Sequence, residues 1–253
     1  MRTMIGLGFA LALAACAPSG STVSSSHTPG QYAAALADPQ RPAADRERDA
    51  ARMPAEILAF AQIDPGEKVG DYMMGGGYWT PILANAVGAE GKVYAFQPDE
   101  FIAFRPAYGE EQDAAVAGRA NVTALRGPVA APPFPEPLDT IITVQNMHDL
   151  YLDAMPEGTA SKALAALFAA LKPGGTLLVV DHSAVPGSGT AAANSVHRMD
   201  LAVAIAALIE AGFTIEAESD VYTRPDDPRT ANVFDPAIRG RTDQFVLRAR
   251  KPG

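Results

Sequence analysis

Residues Asp64 to Phe96 read DPGEKVGDYMMGGGYWTPILANAVGAEGKVYAF. Asp64-Pro65-Gly66 is a turn signal. Lys68 to Met73 then reads as a short buried strand. Gly75-Gly76-Gly77 follows, and Tyr78 to Val87 reads as a helix with Pro81 in its first turn, where proline is tolerated. Gly88 and Gly91 bracket the next turn, and Lys92 to Gln97 reads as a second strand. Strand, glycine loop, helix and strand together form the unit from which parallel sheets are built.

The same alternation continues outward. Upstream, a helical pattern runs from Arg46 to Ala61. Downstream, a helix is expected over about Glu110 to Ala120 and a third strand over Val122 to Arg126. Leu138 to Val144 (LDTIITV) is a continuous apolar strand, and Thr159 to Leu171 an Ala/Leu helix closed by Lys172-Pro173-Gly174-Gly175. Thr176 to Asp181 (TLLVVD) is another buried strand. A helix from about Ser195 to Ala211 ends at Gly212, and Phe213 to Tyr222 and Asp243 to Arg250 read as the last two strands, with no helix between them. Continuous apolar strands are buried on both faces. The expectation is therefore an α/β, doubly wound, mostly parallel seven-stranded sheet with an antiparallel C-terminal edge hairpin.

In such a sheet, ligands sit beyond the carboxyl ends of the strands. Glycines let backbone approach a ligand closely, and the helix N-terminus behind them offers free N–H groups to an anion. A plain tight turn is the alternative reading of Gly75-Gly76-Gly77.

The segment Asp64 to Phe96 resembles the first βαβ unit of the class I S-adenosylmethionine-dependent methyltransferases. Leu138 to His148 resembles their fourth-strand region, and Leu171 to Asp181 (LKPGGTLLVVD) their entry into strand five. The likeness runs over about residues 46 to 251. Within that superfamily the chain resembles an exported branch of predicted methyltransferases that share Asp181-His182-Ser183-Ala184, His197-Arg198-Met199-Asp200 and Arg239-Gly240-Arg241-Thr242-Asp243. The resemblance implies S-adenosylmethionine as cofactor. Its amino-acid end would lie on Gly75, Gly76 and Gly77, oriented by Asp71, with Tyr78 and Asn146 at the site and the ribose at Gln97. Two positions depart from the pattern. Met73 stands where the loop's first glycine is usual, and Gln97 where a carboxylate usually ends strand two.

Three of the four histidines fall where such a fold puts active sites: His148 with Asp149 after strand four, His182 with Asp181 at the end of strand five, and His197 with Asp200 at or near the start of the next helix. His197 and Asp200 are three apart and could share one helical face. Such a cluster suits general acid–base work, with His148 or His182 as base and Asp149, Asp181 or Asp200 as orienting group. Satisfaction by local hydrogen bonds is the structural alternative. His and Asp also suit zinc-like ions, but no tight ligand motif is present, so no metal is assigned. Arg239 and Arg241 could hold an anionic substrate or pin their loop. Tyr78 and Trp79 could cover a cofactor or pack on the sheet.

The N-terminus has a different character. Arg2 precedes an apolar run from Met4 to Ala15, too short to span a bilayer comfortably. Leu13-Ala14-Ala15-Cys16 resembles the bacterial lipobox. That resemblance implies a signal peptide over 1–15, lipidation at Cys16, and a periplasm-facing envelope protein, with the outer membrane preferred. Residues 16–45 read as a lipidated cysteine and flexible tether, rich in Ser, Ala, Pro and Thr, and 46–253 as the methyltransferase-like domain. The formal charge of −9 and pI of about 4.9 make nucleic acid a poor partner. The sequence therefore points to an envelope methyltransferase acting on a small molecule. The alternative is a non-catalytic lipoprotein using the scaffold and the His/Asp cluster to bind another ligand or a metal ion.

Overall fold

The computed structural model describes residues 27–253. Among these, seven strands form one sheet: β1 (Lys68–Tyr72), β2 (Lys92–Pro98), β3 (Val122–Gly127), β4 (Leu138–Val144), β5 (Leu171–His182), β6 (Thr214–Ser219) and β7 (Gln244–Arg250). Their order is β3-β2-β1-β4-β5-β7-β6. The first five pair in parallel, and β7 runs antiparallel to both β5 and β6. The doubly wound sheet with a C-terminal antiparallel hairpin is as the sequence predicts.

The continuous apolar runs are explained by burial on two faces. Leu177 and Val179 join one core cluster, and Leu178 and Val180 the other. Ile141 and Ile142 divide in the same way, as do Leu247 and Val246. Alternate side chains thus leave opposite faces of a strand, and each face meets helices. One face is covered by α4 (Pro54–Ala61) and α5 (Trp79–Val87), and the other by α8 (Thr159–Ala170) and α10 (Leu201–Glu210). No helix of the described residues is long and apolar enough to cross a membrane.

Three expectations are corrected. Residues 29–45, read as part of a flexible tether, are folded. A 3-10 turn (Pro29–Tyr32) leads into α1 (Ala33–Leu36), and α2 spans Ala43–Glu47. Tyr32 is buried and donates its hydroxyl to the Ile63 carbonyl at 2.8 Å. Arg41 is buried and grips Asp49 with both terminal nitrogens, at 2.8 and 2.6 Å. The polar composition concealed this because two or three anchoring side chains suffice to dock short helices. His27 Nε2 lies 3.0 Å from Asp64 Oδ1.

The single helix expected over 46–61 is broken into α2, α3 (Asp49–Arg52) and α4. Met53 between the last two adopts φ 38°. Pro54 follows it, and a residue before proline is pushed out of the right-handed helical region. Downstream, a short helix α6 (Asp99–Phe104) precedes α7 (Ala107–Val116), which begins earlier than expected.

The helix expected over 195–211 is also two helices, α9 (Ala191–Val196) and α10. The chain between them is drawn alongside the end of β5. Met199 donates its N–H to the His182 carbonyl at 2.8 Å, and Ala184 donates to the Met199 carbonyl at 2.9 Å. These bonds replace helical ones, so the pattern of apolar residues did not reveal the break.

The docked N-terminal segment makes a testable difference. Tyr32→Ala removes a buried ring and its hydrogen bond, and should cost about 3–5 kcal/mol of unfolding free energy in urea melts. A tether residue would change stability by no more than about 0.5 kcal/mol.

Candidate active site

The carboxyl ends of β1, β4 and β5 bring the predicted residues to one side of the sheet. At β1, Asp71 is buried and its Oδ2 accepts the Thr80 hydroxyl at 2.6 Å. Its carboxylate, with Gly75, Gly76, Asn146 and Tyr78, lines a cavity of about 140 Å³. Burial, opposed in part by the Thr80 hydroxyl, pushes the Asp71 pKa up to about 6. A second cavity of about 510 Å³ lies next to it and shares Arg48, Arg52, Trp79, Val144 and Gln145 as walls. Trp79 Nε1 is buried without a partner among the described residues. A groove of about 690 Å³ lies elsewhere, lined by residues of α8, α10 and the 150–158 loop. It has no histidine and none of the strand-end residues.

Several predicted cofactor residues are engaged by the protein itself. Gln97 is buried, and its Oε1 accepts the Gly75 N–H at 3.0 Å. Asn146 Nδ2 donates to the carbonyls of Met73 (2.8 Å) and Val144 (2.9 Å), fixing the glycine loop against the end of β4. Tyr78 donates its hydroxyl to Asp49 at 2.7 Å and lies beneath the guanidinium groups of Arg41, Arg48 and Arg52, 4.6–5.6 Å from its ring centre. Gly77 is a packing glycine: at φ 83° a Cβ there would come within 2.7 Å of Ala115 on α7. Met73 is buried with φ 58°, a backbone conformation that glycine adopts far more readily.

The histidines converge. The His148 ring lies 6.2 Å from His182 and 5.7 Å from His197, centre to centre. Asp181 is completely buried at the end of β5. It accepts three bonds: the His148 N–H at 2.7 Å, His148 Nδ1 at 2.8 Å and the His182 N–H at 2.7 Å. Burial opposes charge on both partners, yet their attraction and hydrogen bond win. The His148 pKa rises to about 9, and Asp181 is held below the usual carboxylate range. Asp149 Oδ1 lies 3.3 Å from His148 Nε2, and burial lifts its pKa to about 6. His182 is pushed down to about 4, mainly by burial, with Asp181 opposing. It is therefore neutral near pH 7, with Nδ1 2.7 Å from the Thr242 hydroxyl and its ring on the 510 Å³ cavity.

Asp200 does not join the cluster. His197 ends α9 at φ 53°, while Asp200 caps α10, accepting the N–H groups of Ala202 (3.0 Å) and Gly189 (3.1 Å). The break between α9 and α10 removes the helical face that the pair would have shared. Arg198 is structural too, fully buried in a two-point ion pair with Asp227 at 2.9 Å. Arg239 lines the larger cavity, whereas Arg241 donates to the Ala237 carbonyl and holds its own loop.

Sequence reasoning missed Arg48, Arg52, Gln145 and Gln244. Arg52 donates to Gln145 Oε1 at 2.9 Å, and Gln145 Nε2 donates to Gln244 Oε1 at 3.0 Å, forming a polar floor across three elements. The arginine density of the 41–52 stretch was the available signal. Cys16 lies outside the described residues.

No family model matches the chain. Among solved structures, it is similar to an S-adenosylmethionine-dependent methyltransferase from Aquifex aeolicus, with a TM-score of 0.57 and 22% identity over 78% of this chain and 89% of that one. The [4+2]-cyclase SpnF gives a TM-score of 0.55 and 18% identity over 85% of both chains. A "possible exported protein" from Bordetella parapertussis gives 0.50 and 18% identity over 82% of this chain and 68% of that one. The chain therefore has the class I methyltransferase fold. That fold carries more than one chemistry, so function rests on the site.

The buried Asp71 sets a pH test. Its folded pKa, about 6, lies above its unfolded value of about 3.9, so its ionisation weakens folding as pH rises through that window. Asp71→Asn removes this penalty. The variant should be more stable than the parent above pH 6, by about 1–3 kcal/mol, and equal to it near pH 4 when thermal melts are compared.

Proposed function

We propose that the protein is an S-adenosylmethionine-dependent methyltransferase acting on a small molecule at the bacterial cell envelope. The observation that carries this reading is the glycine loop at the end of β1. Its cavity has Asp71 at its wall and opens beside the larger, histidine-walled one.

The loop fits the amino-acid end of the cofactor. Asp71 offers a carboxylate to an ammonium group, and the Gly76 N–H and the start of α5 suit a carboxylate. The cofactor would supply an electrophilic methyl group there. The acceptor belongs in the 510 Å³ cavity, where Arg48, Arg52 and Arg239 orient it and the His182 ring, neutral near pH 7, lies against it as a hydrogen-bonding partner. His148, its Nδ1 held by Asp181, stands 6.2 Å behind the His182 ring and fixes that wall of the cavity.

One observation favours a second reading, a binding protein on the same scaffold. Gln97 is already engaged with Gly75, and the cavity above the glycines is far smaller than a nucleoside cofactor needs. Met73 is the side chain buried where the loop usually has none. Calorimetry with S-adenosylhomocysteine separates the readings. A methyltransferase should bind it at micromolar concentration, and Met73→Gly should tighten binding by roughly tenfold. Heats absent from both proteins would leave the binding-protein reading.

The envelope location rests on the lipobox-like Leu13–Cys16 and the apolar run before it. Cys16→Ser should move the protein from the membrane to the soluble fraction and abolish labelling by radioactive palmitate.

A further inference from the structure

We propose that His148, Asp149 and His197 form a binding site for one divalent transition-metal ion of the zinc type. Each offers a ligand atom, and the three atoms lie within 4.8 Å of one another. A tetrahedral ion with bonds of about 2.0–2.1 Å needs its ligand atoms about 3.4 Å apart. His148 Nε2 and Asp149 Oδ1, at 3.3 Å, already meet this. As no pair of these atoms is more than 4.8 Å apart, His197 has to approach by at most about 1.4 Å, within reach of rotation about its side-chain bonds.

The surroundings are those of a built site. The Nδ1 of His148 is held by the buried carboxylate of Asp181 at 2.8 Å. This carboxylate–histidine arrangement fixes the ring and directs Nε2 toward an ion, and it recurs behind metal-bound histidines. Neither ring nitrogen of His197 is hydrogen-bonded among the described residues, although its ring edge is turned against His148 at 87°. Two imidazoles facing one point repel as cations, whereas a shared ion uses both lone pairs. Asp149 and Asp181 together carry two negative charges against the ion's two positive ones.

Two histidines and one carboxylate leave a fourth position open. The cluster adjoins the 510 Å³ cavity: His182, 6.2 Å from the His148 ring, and Phe234, 5.0 Å from the His197 ring, both line it. A ligand entering that cavity therefore arrives next to the ion. The inference does not rest on the methyltransferase reading, because the metal is read on protein without cofactor.

The test uses untagged full-length protein purified in detergent without chelators, titrated with Zn²⁺ by calorimetry and with Co²⁺ by visible spectroscopy. One equivalent of each should bind, with the d–d bands of a four-coordinate nitrogen–oxygen site for cobalt. His148→Gln and His197→Gln should each weaken Zn²⁺ binding by at least 100-fold, and Asp181→Asn by roughly 10–100-fold. His182→Gln, which alters no proposed ligand, should retain one equivalent. His197 lies in a half-buried loop, so its variant folds even if the His148 variant does not; circular dichroism checks both. Absence of stoichiometric binding, or Zn²⁺ affinity unchanged in folded His197→Gln, overturns the proposal. Metal binding without S-adenosylhomocysteine binding retires only the methyltransferase reading, and the reverse result retires only this one.

Discussion

The buried contact between Asp181 and His148 governs the rest of the site. A carboxylate with no water around it is costly unless donors surround it, and this one has three. Two come from His148, on the turn after β4, and one from the neighbouring peptide of His182. The pair therefore fastens the end of β4 to the end of β5 and sets the orientation of an imidazole. The turn that begins at His148 then carries Asp149 to the same point, and the bridge between Met199 and β5 brings in His197 from the far side. Convergence of three distant histidines follows from one buried ion pair and one strand-like detour.

A second constraint lies over the glycine loop. The N-terminal helices are short and would be unstable alone. They are held by Tyr32 in the core, by the Arg41–Asp49 pair, and by Tyr78 packed under three guanidinium groups. Their positive charge has a local effect. The chain as a whole carries −9, yet Arg48, Arg52 and Arg239 face one cavity. An acidic molecule with a cationic pocket keeps anions away from its general surface and concentrates them at one opening.

The sheet was legible because its strands are buried on both faces, and such strands are continuous apolar runs in any sequence. LDTIITV matches β4 residue for residue. The glycine loop and the strand-end histidines were legible for the same reason: topology puts them at strand ends. What sequence periodicity could not show was backbone diverted by hydrogen bonds. His197 and Asp200 look like neighbours on one helix, but Met199 pairs with β5 and separates them. The roles of Gln97 and Asn146 were equally hidden. Both have side chains suited to a ligand, and both are taken up by the protein's own backbone. Docking of residues 29–45 was invisible to composition, since it depends on Tyr32 and Arg41 rather than on an amphipathic pattern.

The position of β7 bears on the protein's life before it is folded. This strand is inserted between β5 and β6 and supplies Gln244 to the cavity, and Thr242, just before it, holds His182. A nascent chain can form its parallel half early, but β5 and β6 then each expose an unpaired edge, and such edges recruit other chains. A polypeptide without residues 244–250 would thus have most of its core, an unfinished pocket and two adhesive margins. Residues 244–250 thus guard against clumping as much as they complete the pocket.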